Sequence, residues 1–402
     1  MLPAMPSPVD LPRLRVQPQR DARLRNGYPW AFSNELIMDT EARGVPPGAP
    51  VRLEAGDRFI GIAGLNRHTL IAARVLTRDP DEPIDAEWFA RRLARARDLR
   101  DRLFDRPFYR LVHAEADGLP GLICDRYGDV LVAQLNTATM DRLRDAFLEA
   151  AERVLAPRAI VFRNDGGGGR EIEGLPAEVA VAAGTIEGPV TVEENGARFP
   201  ADPLGGQKTG WFFDQRDNRA FAARLAGGLE VLDVYTHTGG FAVQAALGGA
   251  AAVTAVDRSA AALEIAAEGA AMNGVGDRVT CQRADAFAEM QRLAEAGRRF
   301  GLVIVDPPAF AKTKKDQRAG MRGYTKMARL AARLVAQDGF LVACSCSHHV
   351  DPAGFAEAVR KGLIEAKRSG RVLRTSGAGP DHPVHPLLPE SAYLKALFLQ
   401  LD

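Results

Sequence analysis

From about residue 227 onward the chain alternates short apolar runs with helix-period segments, and this succession constrains its fold more than any other feature. The runs 229–235, 252–257, 278–281, 301–306, 339–346, 371–375 and 393–401 read as strands, and helices fit around 240–248, 259–273, 285–297, 323–337 and 352–368. Strand and helix in strict alternation imply a mostly parallel sheet covered on both faces. In such sheets ligands bind beyond the carboxyl ends of the strands, where the strand order reverses. The chemically distinctive residues of this half all fall at strand carboxyl ends.

Upstream the pattern differs. With 402 residues the chain is longer than one ordinary domain. To about residue 78, short apolar runs alternate with turn signals, as in a small all-β module. Asp79-Pro80-Asp81-Glu82-Pro83 breaks the chain, and 86–104 reads as an arginine-rich amphipathic helix with Phe89, Leu93, Ala96, Leu99 and Leu103 at helical spacing. From 108 to 200, strands at 121–125, 130–135, 159–163 and 190–194 around a helix at 140–155 read as a small α+β unit. The glycine run 166–169 reads as a flexible turn, with no following helix that would make it a phosphate site. The expected division is therefore 1–78, 79–200 and 201–402.

Composition narrows the class. Hydrophobic residues make up 46% of the chain, yet no stretch approaches the roughly 18 consecutive apolar residues of a membrane helix. The start carries no basic region followed by an apolar core, so a cytoplasmic location is expected. Four cysteines, Cys124, Cys281, Cys344 and Cys346, make neither a disulfide framework nor a paired zinc spacing, and no metal is expected. A net charge of +1 argues against purely electrostatic coating of nucleic acid. Two local clusters stand out: Arg13, Arg15, Arg20, Arg23 and Arg25 against Asp21, and Lys312, Lys314, Lys315, Arg318, Arg322 and Lys326 against Asp316. Each is either a solvated face or a phosphate-binding rim.

Five strand ends carry the chemistry. After the first strand, Asp233 is followed by Tyr235-Thr236-His237-Thr238-Gly239-Gly240, where the glycines let the backbone turn tightly and approach a ligand. The second strand ends in Asp257, at the spacing where a carboxylate can accept from ribose hydroxyls, so an adenosine-type cofactor is indicated. The Gly-x-Gly-x-x-Gly form is absent, which disfavours a dinucleotide. Asp285, before Ala286, can contact an adenine edge or cap the next helix, and one aspartate can do both. Asp306-Pro307-Pro308 gives a stiff, acidic elbow, followed by the lysine cluster. Finally, Cys344 and Cys346 share one face of their strand. A buried thiol is usually a small hydrophobe, but one at a strand end facing a charged cleft can ionise and act as a nucleophile. Cys346, nearer the exit, is the better candidate.

With Tyr28-Pro29-Trp30-Ala31-Phe32-Ser33-Asn34, Glu115-Ala116-Asp117-Gly118-Leu119-Pro120-Gly121-Leu122, the block from Gly206 through Asp214-Gln215-Arg216-Asp217-Asn218-Arg219, Asp381-His382-Pro383-Val384 and Pro389-Glu390-Ser391-Ala392-Tyr393-Leu394-Lys395, the chain resembles the RlmI-type bacterial 23S rRNA (cytosine-C5) methyltransferases over nearly its whole length. The resemblance implies an α/β protein with a C-terminal Rossmann-like class I S-adenosylmethionine (SAM) methyltransferase domain, an N-terminal PUA-like RNA-binding domain and a central α+β domain. It implies that Cys346 is the nucleophile and that Asp306 contacts the cytosine ring. SAM would be held by Asp233, Tyr235, Thr238, Gly239, Gly240, Asp257, Asp285 and Ala286, with Gln215. Arg25, Trp30, Lys312, Lys314 and Lys315 would hold ribosomal RNA, 23S in the family, with a homodimer left open. His237 departs from the family's usual tyrosine, Cys344 from an apolar or hydroxyl residue, and the 166–169 turn from a more polar segment. Guanine methylation without a thiol, a non-catalytic RNA-binding protein and a nicotinamide-dependent dehydrogenase are the competing readings.

Overall fold

In the computed structural model, which describes residues 8–166, 169–206 and 209–402, the C-terminal alternation forms one seven-stranded sheet. Its strands are β1 (Glu230–Val234), β2 (Ala252–Asp257), β3 (Val279–Arg283), β4 (Phe300–Val305), β5 (Val335–Ser345), β6 (Gly370–Ser376) and β7 (Lys395–Leu401), in the order β3-β2-β1-β4-β5-β7-β6. The first five are mutually parallel, and β7 lies antiparallel between β5 and β6. The order reverses between β1 and β4, so the ligand crevice of such a sheet opens beyond the ends of these two strands.

The helices are α1 (Arg216–Leu225), α2 (Gly240–Leu247), α3 (Ala260–Met272), α4 (Ala286–Glu295), α5 (Gln317–Leu334) and α6 (Pro352–Glu365). One face of the sheet buries Leu232, Val234, Val303, Val305, Leu341 and Ala343 with Tyr324, Met327 and Phe355 from the helices. Two helices differ from expectation for local reasons. The helix expected at 323–337 spans Gln317–Leu334, its first two turns carrying Gly320 and Gly323, which weaken the helical signal ahead of Tyr324. The charged block at 216–219 hid α1, whose Arg216, Asn218 and Arg219 are buried by polar partners instead of apolar ones.

Compactness divides the chain into two units. One holds this sheet together with Thr191–Ala201 and Glu390–Asp402; the other holds the residues up to Val190 with Asp202–Trp211 and Pro380–Pro389. A sequence boundary at 200 therefore differs from the observed one. The hairpin Val190–Glu194/Ala197–Ala201 goes with the seven-stranded sheet: Asn273 at the end of α3 donates to the Arg198 carbonyl (2.6 Å), and Glu194 pairs with Arg219 of α1 (2.7 Å).

The other unit contains a six-stranded sheet, in spatial order Trp30–Phe32, Ile71–Thr77, Arg58–Leu65, Pro50–Ala55, Arg13–Val16 and Leu36–Ile37, and a five-stranded one running Val179–Gly184, Ala159–Arg163, Val130–Leu135, Leu122–Tyr127 and Phe108–His113. The arginine-rich helix spans Ala86–Leu103, and the helix expected at 140–155 is two, Ala138–Arg142 and Arg144–Leu155. Within this unit the returning segments are held by buried polar groups. Asp381 accepts from the Arg110 N–H (3.0 Å), its carbonyl accepts from Arg100 (2.8 Å), and the Thr209 hydroxyl donates to Asp125 (2.6 Å). Of the glycine run 166–169, Gly167 and Gly168 lie outside the described residues, as do Gln207 and Lys208; a short helix, Gly169–Ile172, does follow the run, contrary to expectation. No helix among the described residues is long and apolar enough to cross a membrane, and no group of three or more His, Cys, Asp or Glu among them could hold a metal ion.

Candidate active site

Asp233 is the penultimate residue of β1, paired with Ala255 on one side and Ile304 on the other, and it is buried. Burial pushes its carboxyl up to about 7 against the opposing bond from Thr236, whose hydroxyl donates to Oδ2 at 2.5 Å. The loop that follows carries left-handed backbone at Tyr235 (φ 66°), His237 (φ 52°) and Gly239 (φ 80°). Two non-glycine residues in that region within three positions form a strained loop of the kind that persists where the surroundings over-determine it. A Cβ at Gly239 would meet the Ala266 Cβ at 2.8 Å, so close packing requires glycine there, and one at Gly240 would press on the Arg219 side chain, 2.6 Å from Nε. The His237 ring packs edge-on to Phe212.

Beside this loop stand three polar groups. Asp257 ends β2 and accepts one backbone N–H on each carboxylate oxygen, from His237 (3.0 Å) and Ser259 (2.9 Å). Asp285 caps α4 through Ala288 N–H (2.9 Å), with Ala286 buried behind it. The Tyr235 hydroxyl is buried with no hydrogen-bond partner in the protein, and its pKa is raised by burial and by the carboxylates of Asp285 and Asp257. A buried hydroxyl without a partner is costly to the fold. A hydroxyl, two carboxylates and a glycine-lined backbone turn around one space suit a ligand rich in hydroxyl and amino donors, and adenosine is such a group.

The second cluster lies beyond β4 and β5. Asp306 follows β4 and is half-buried; its Oδ2 accepts from Gln215 Nε2 at 2.9 Å. Burial pushes its carboxyl up to about 7, the nearby Asp214 carboxylate adding to the shift and Arg219 opposing it. Gln215 is itself fixed: its Oε1 accepts from Asn218 (2.6 Å), and Asn218 is held in turn by Ser376 (2.6 Å). Gln215, which the resemblance places at the cofactor, directs its amide N–H to Asp306. Cys344 is fully buried inside β5, and burial raises its pKa well above that of an ordinary thiol. Cys346 lies one residue beyond the strand, partly exposed, with Sγ 3.9 Å from the Pro307 carbonyl. Thus Cys346 and the Asp306-Pro307 elbow meet at the ends of adjacent strands.

Residues without an assigned role in the sequence also converge here. Tyr393 donates to Asp214 Oδ2 (2.6 Å), Tyr324 hydrogen-bonds Ser347 (2.7 Å), and Lys395 is buried against the Ser347 carbonyl (2.6 Å). The family-like blocks at 214–219 and 389–395 contain Asp214, Tyr393 and Lys395, but nothing in the sequence shows that they meet these partners. Lys312, Lys314 and Lys315 are exposed on the segment between β4 and α5. In the other unit Arg25 is exposed and pairs with Asp21 (2.7 Å), while the half-buried Trp30 donates its indole N–H to Glu115 (2.8 Å) beside Tyr28.

Comparison with known proteins agrees with this architecture. Residues 180–399 match the family model of S-adenosylmethionine-dependent methyltransferases, and residues 14–78 match a PUA-like domain. Proteins named ribosomal RNA large subunit methyltransferase I from Shewanella denitrificans and Aeromonas hydrophila are each 36% identical; the alignments cover 96% and 95% of this chain and 98% and 97% of theirs. Among solved structures, a SAM-dependent methyltransferase of Streptococcus mutans superposes with a TM-score of 0.81 at 20% identity, covering 96% of this chain and 99% of its own. A methyltransferase complexed with S-adenosylhomocysteine gives 0.82 at the same identity and coverage. A Rossmann-like sheet, an N-terminal PUA-like module and full-length relatives under one name lead to a single conclusion: the chain belongs to the ribosomal RNA large subunit methyltransferase I family of SAM-dependent methyltransferases.

Proposed function

We propose that the protein methylates C5 of a cytosine in large-subunit ribosomal RNA through a covalent adduct with Cys346. The observation that carries this reading is the partly exposed Cys346 thiol, 3.9 Å from the elbow of a carboxyl group whose pKa is raised to about 7, at the ends of two adjacent strands. The relatives' common name supports the choice of ribosomal RNA as substrate class. In this reading Asp257 accepts from ribose hydroxyls, Asp285 and Tyr235 meet the adenine side, and Gly239 and Gly240 let the backbone approach. The bound cofactor supplies an electrophilic methyl group.

C5 of cytosine is a weak nucleophile, and the thiol answers that weakness. As the S–C6 bond forms, the C5–C6 π electrons become available at C5, which takes the methyl group. A base then takes the C5 proton, the double bond re-forms and Cys346 leaves as thiolate. Asp306 in its neutral form suits the pyrimidine edge: its O–H donates to N3 and its carbonyl oxygen accepts from the N4 amino group. Passing its proton to N3 as sulfur adds, and recovering it as sulfur leaves, neutralises the charge that the adduct develops. Gln215 holds the carboxyl in place for this exchange. Exposed Lys312, Lys314 and Lys315, with Arg25 and Trp30 of the PUA-like module, serve RNA binding, the lysines through sequence-independent phosphate contacts.

The test is RNA carrying 5-fluorocytosine at the target. Fluorine at C5 cannot leave as a proton, so a SAM-dependent covalent protein–RNA complex is expected on a denaturing gel. No complex, while unmodified RNA is still methylated, overturns the reading. The cofactor loop has its own test: Gly239→Ala, strained at φ 80° and crowded by Ala266, is expected to weaken SAM binding by about tenfold or more in calorimetry.

A further inference from the structure

The Ser345-Cys346-Ser347 segment is clamped from several sides. The Ser347 N–H donates to Ser345 Oγ (3.3 Å), and Ser347 Oγ shares a 2.7 Å hydrogen bond with the Tyr324 hydroxyl and accepts from the Ala311 N–H (3.2 Å). From β7, Lys395 stands opposite Ser345 in register and reaches past the end of β5. Its ammonium donates to the Ser347 carbonyl (2.6 Å), in the residue directly after Cys346, and to the Tyr393 carbonyl (2.7 Å). Lys395 is only 6% exposed, and both of these acceptors are neutral. The anion-forming groups whose charge it feels are Cys346 and Asp351, and Asp351 is already engaged at the start of α6, accepting from the Gly354 N–H at 2.7 Å. A buried cation needs a counter-charge, and a thiolate needs a cation.

We propose that Lys395 is the counter-ion of the Cys346 thiolate, a positioning residue that keeps the nucleophile ionised without touching the substrate. The inference rests on Cys346 being the nucleophile. The other titratable groups around the thiol are Tyr324 from α5, Asp306 at the end of β4, Cys344 on β5, His348 on the segment after it and Asp351 from α6. Tyr324, held above its ordinary pKa by burial, is neutral at pH 7, Asp306 works in its neutral form and Asp351 opposes a thiolate, so Lys395 supplies the compensating charge. Burial draws Lys395 down to about 8, so it is charged at neutral pH and loses its proton above that value.

The experiment is the pH dependence of iodoacetamide alkylation at Cys346, followed in the full-length protein by peptide mass spectrometry. Wild-type Cys346 is expected to react with a midpoint at least about one pH unit below that of an ordinary thiol. Lys395→Met should move the midpoint up by about one unit, a roughly tenfold loss of alkylation rate at pH 7, and Lys395→Arg should restore most of it. Lys361→Met, on the exposed face of α6 beside Glu357, should change nothing. A wild-type midpoint at or above the ordinary thiol value overturns the proposal without any variant having to fold, and so does a Lys395→Met profile that overlays the wild type. The nucleophile reading fails by a different result, a Cys346→Ala enzyme that still methylates RNA.

Discussion

Cys346→Ala is expected to lower methyl transfer to RNA by at least about a thousandfold while leaving SAM affinity within a few-fold, measured by tritiated methyl incorporation and by calorimetry. The size follows from the chemistry: without a sulfur at C6, C5 has no source of electron density, and the other groups in the site can only orient a ring that does not react. SAM affinity is spared because the polar groups suited to the cofactor surround the Tyr235–Gly240 loop at the ends of β1 and β2, whereas Cys346 lies beyond β5. Cys344→Ala separates the two thiols. Its side chain is fully buried and its pKa is raised by that burial, so the variant should lose stability, on the order of 1–2 kcal/mol in denaturant melts, and still form the 5-fluorocytosine complex. A complex that forms with Cys346→Ala but not with Cys344→Ala would mean that the deeper thiol is the nucleophile. Persistent methylation by both variants would favour a base that needs no covalent activation, such as guanine.

Much of this arrangement was legible because the fold writes its chemistry at strand ends. Periodicity locates a strand's carboxyl end to within a residue or two, and Asp233, Asp257, Asp306 and Cys346 all fall there. What was hidden has a common physical cause, namely contact between residues distant in sequence. Asp214 and Tyr393 are 179 residues apart, yet they share a 2.6 Å hydrogen bond. Nor does the sequence show that the Gln215 amide is fixed by Asn218 and donates to Asp306, 91 residues away. Unit boundaries were hidden for the same reason. Asp202–Trp211 and Pro380–Pro389 join the N-terminal unit through single polar side chains such as Thr209 and Asp381, which leave no mark on local composition. The early start of α5 was invisible because Gly320 and Gly323 interrupt the helical signal of its first two turns.

Asp306→Asn carries the second large effect, and it separates recognition from proton transfer. The amide can still donate toward N3 and accept from N4, so RNA binding should change little, but it cannot pass a proton; turnover is expected to fall by about a hundredfold to ten-thousandfold. With the carboxyl at about 7, the competent neutral form is lost as pH rises through that value, so the wild-type rate should fall on the alkaline side and the Asp306→Asn rate should not. Stability moves the opposite way. A carboxyl raised in the folded state binds its proton more tightly there than in the unfolded chain, so its contribution is full below the ordinary carboxylate range and is lost as pH climbs to about 7. Asp306→Asn should therefore melt higher than the wild type at pH 8, by on the order of 2 kcal/mol after allowance for partial exposure, and match it near pH 4. An enzyme that becomes more stable on losing one buried acid, and much slower in the same step, is keeping that acid under strain for its proton. Equal melting curves at pH 8, or an unchanged alkaline limb of the rate profile, would show that Asp306 is an ordinary ionised carboxylate with no proton to give.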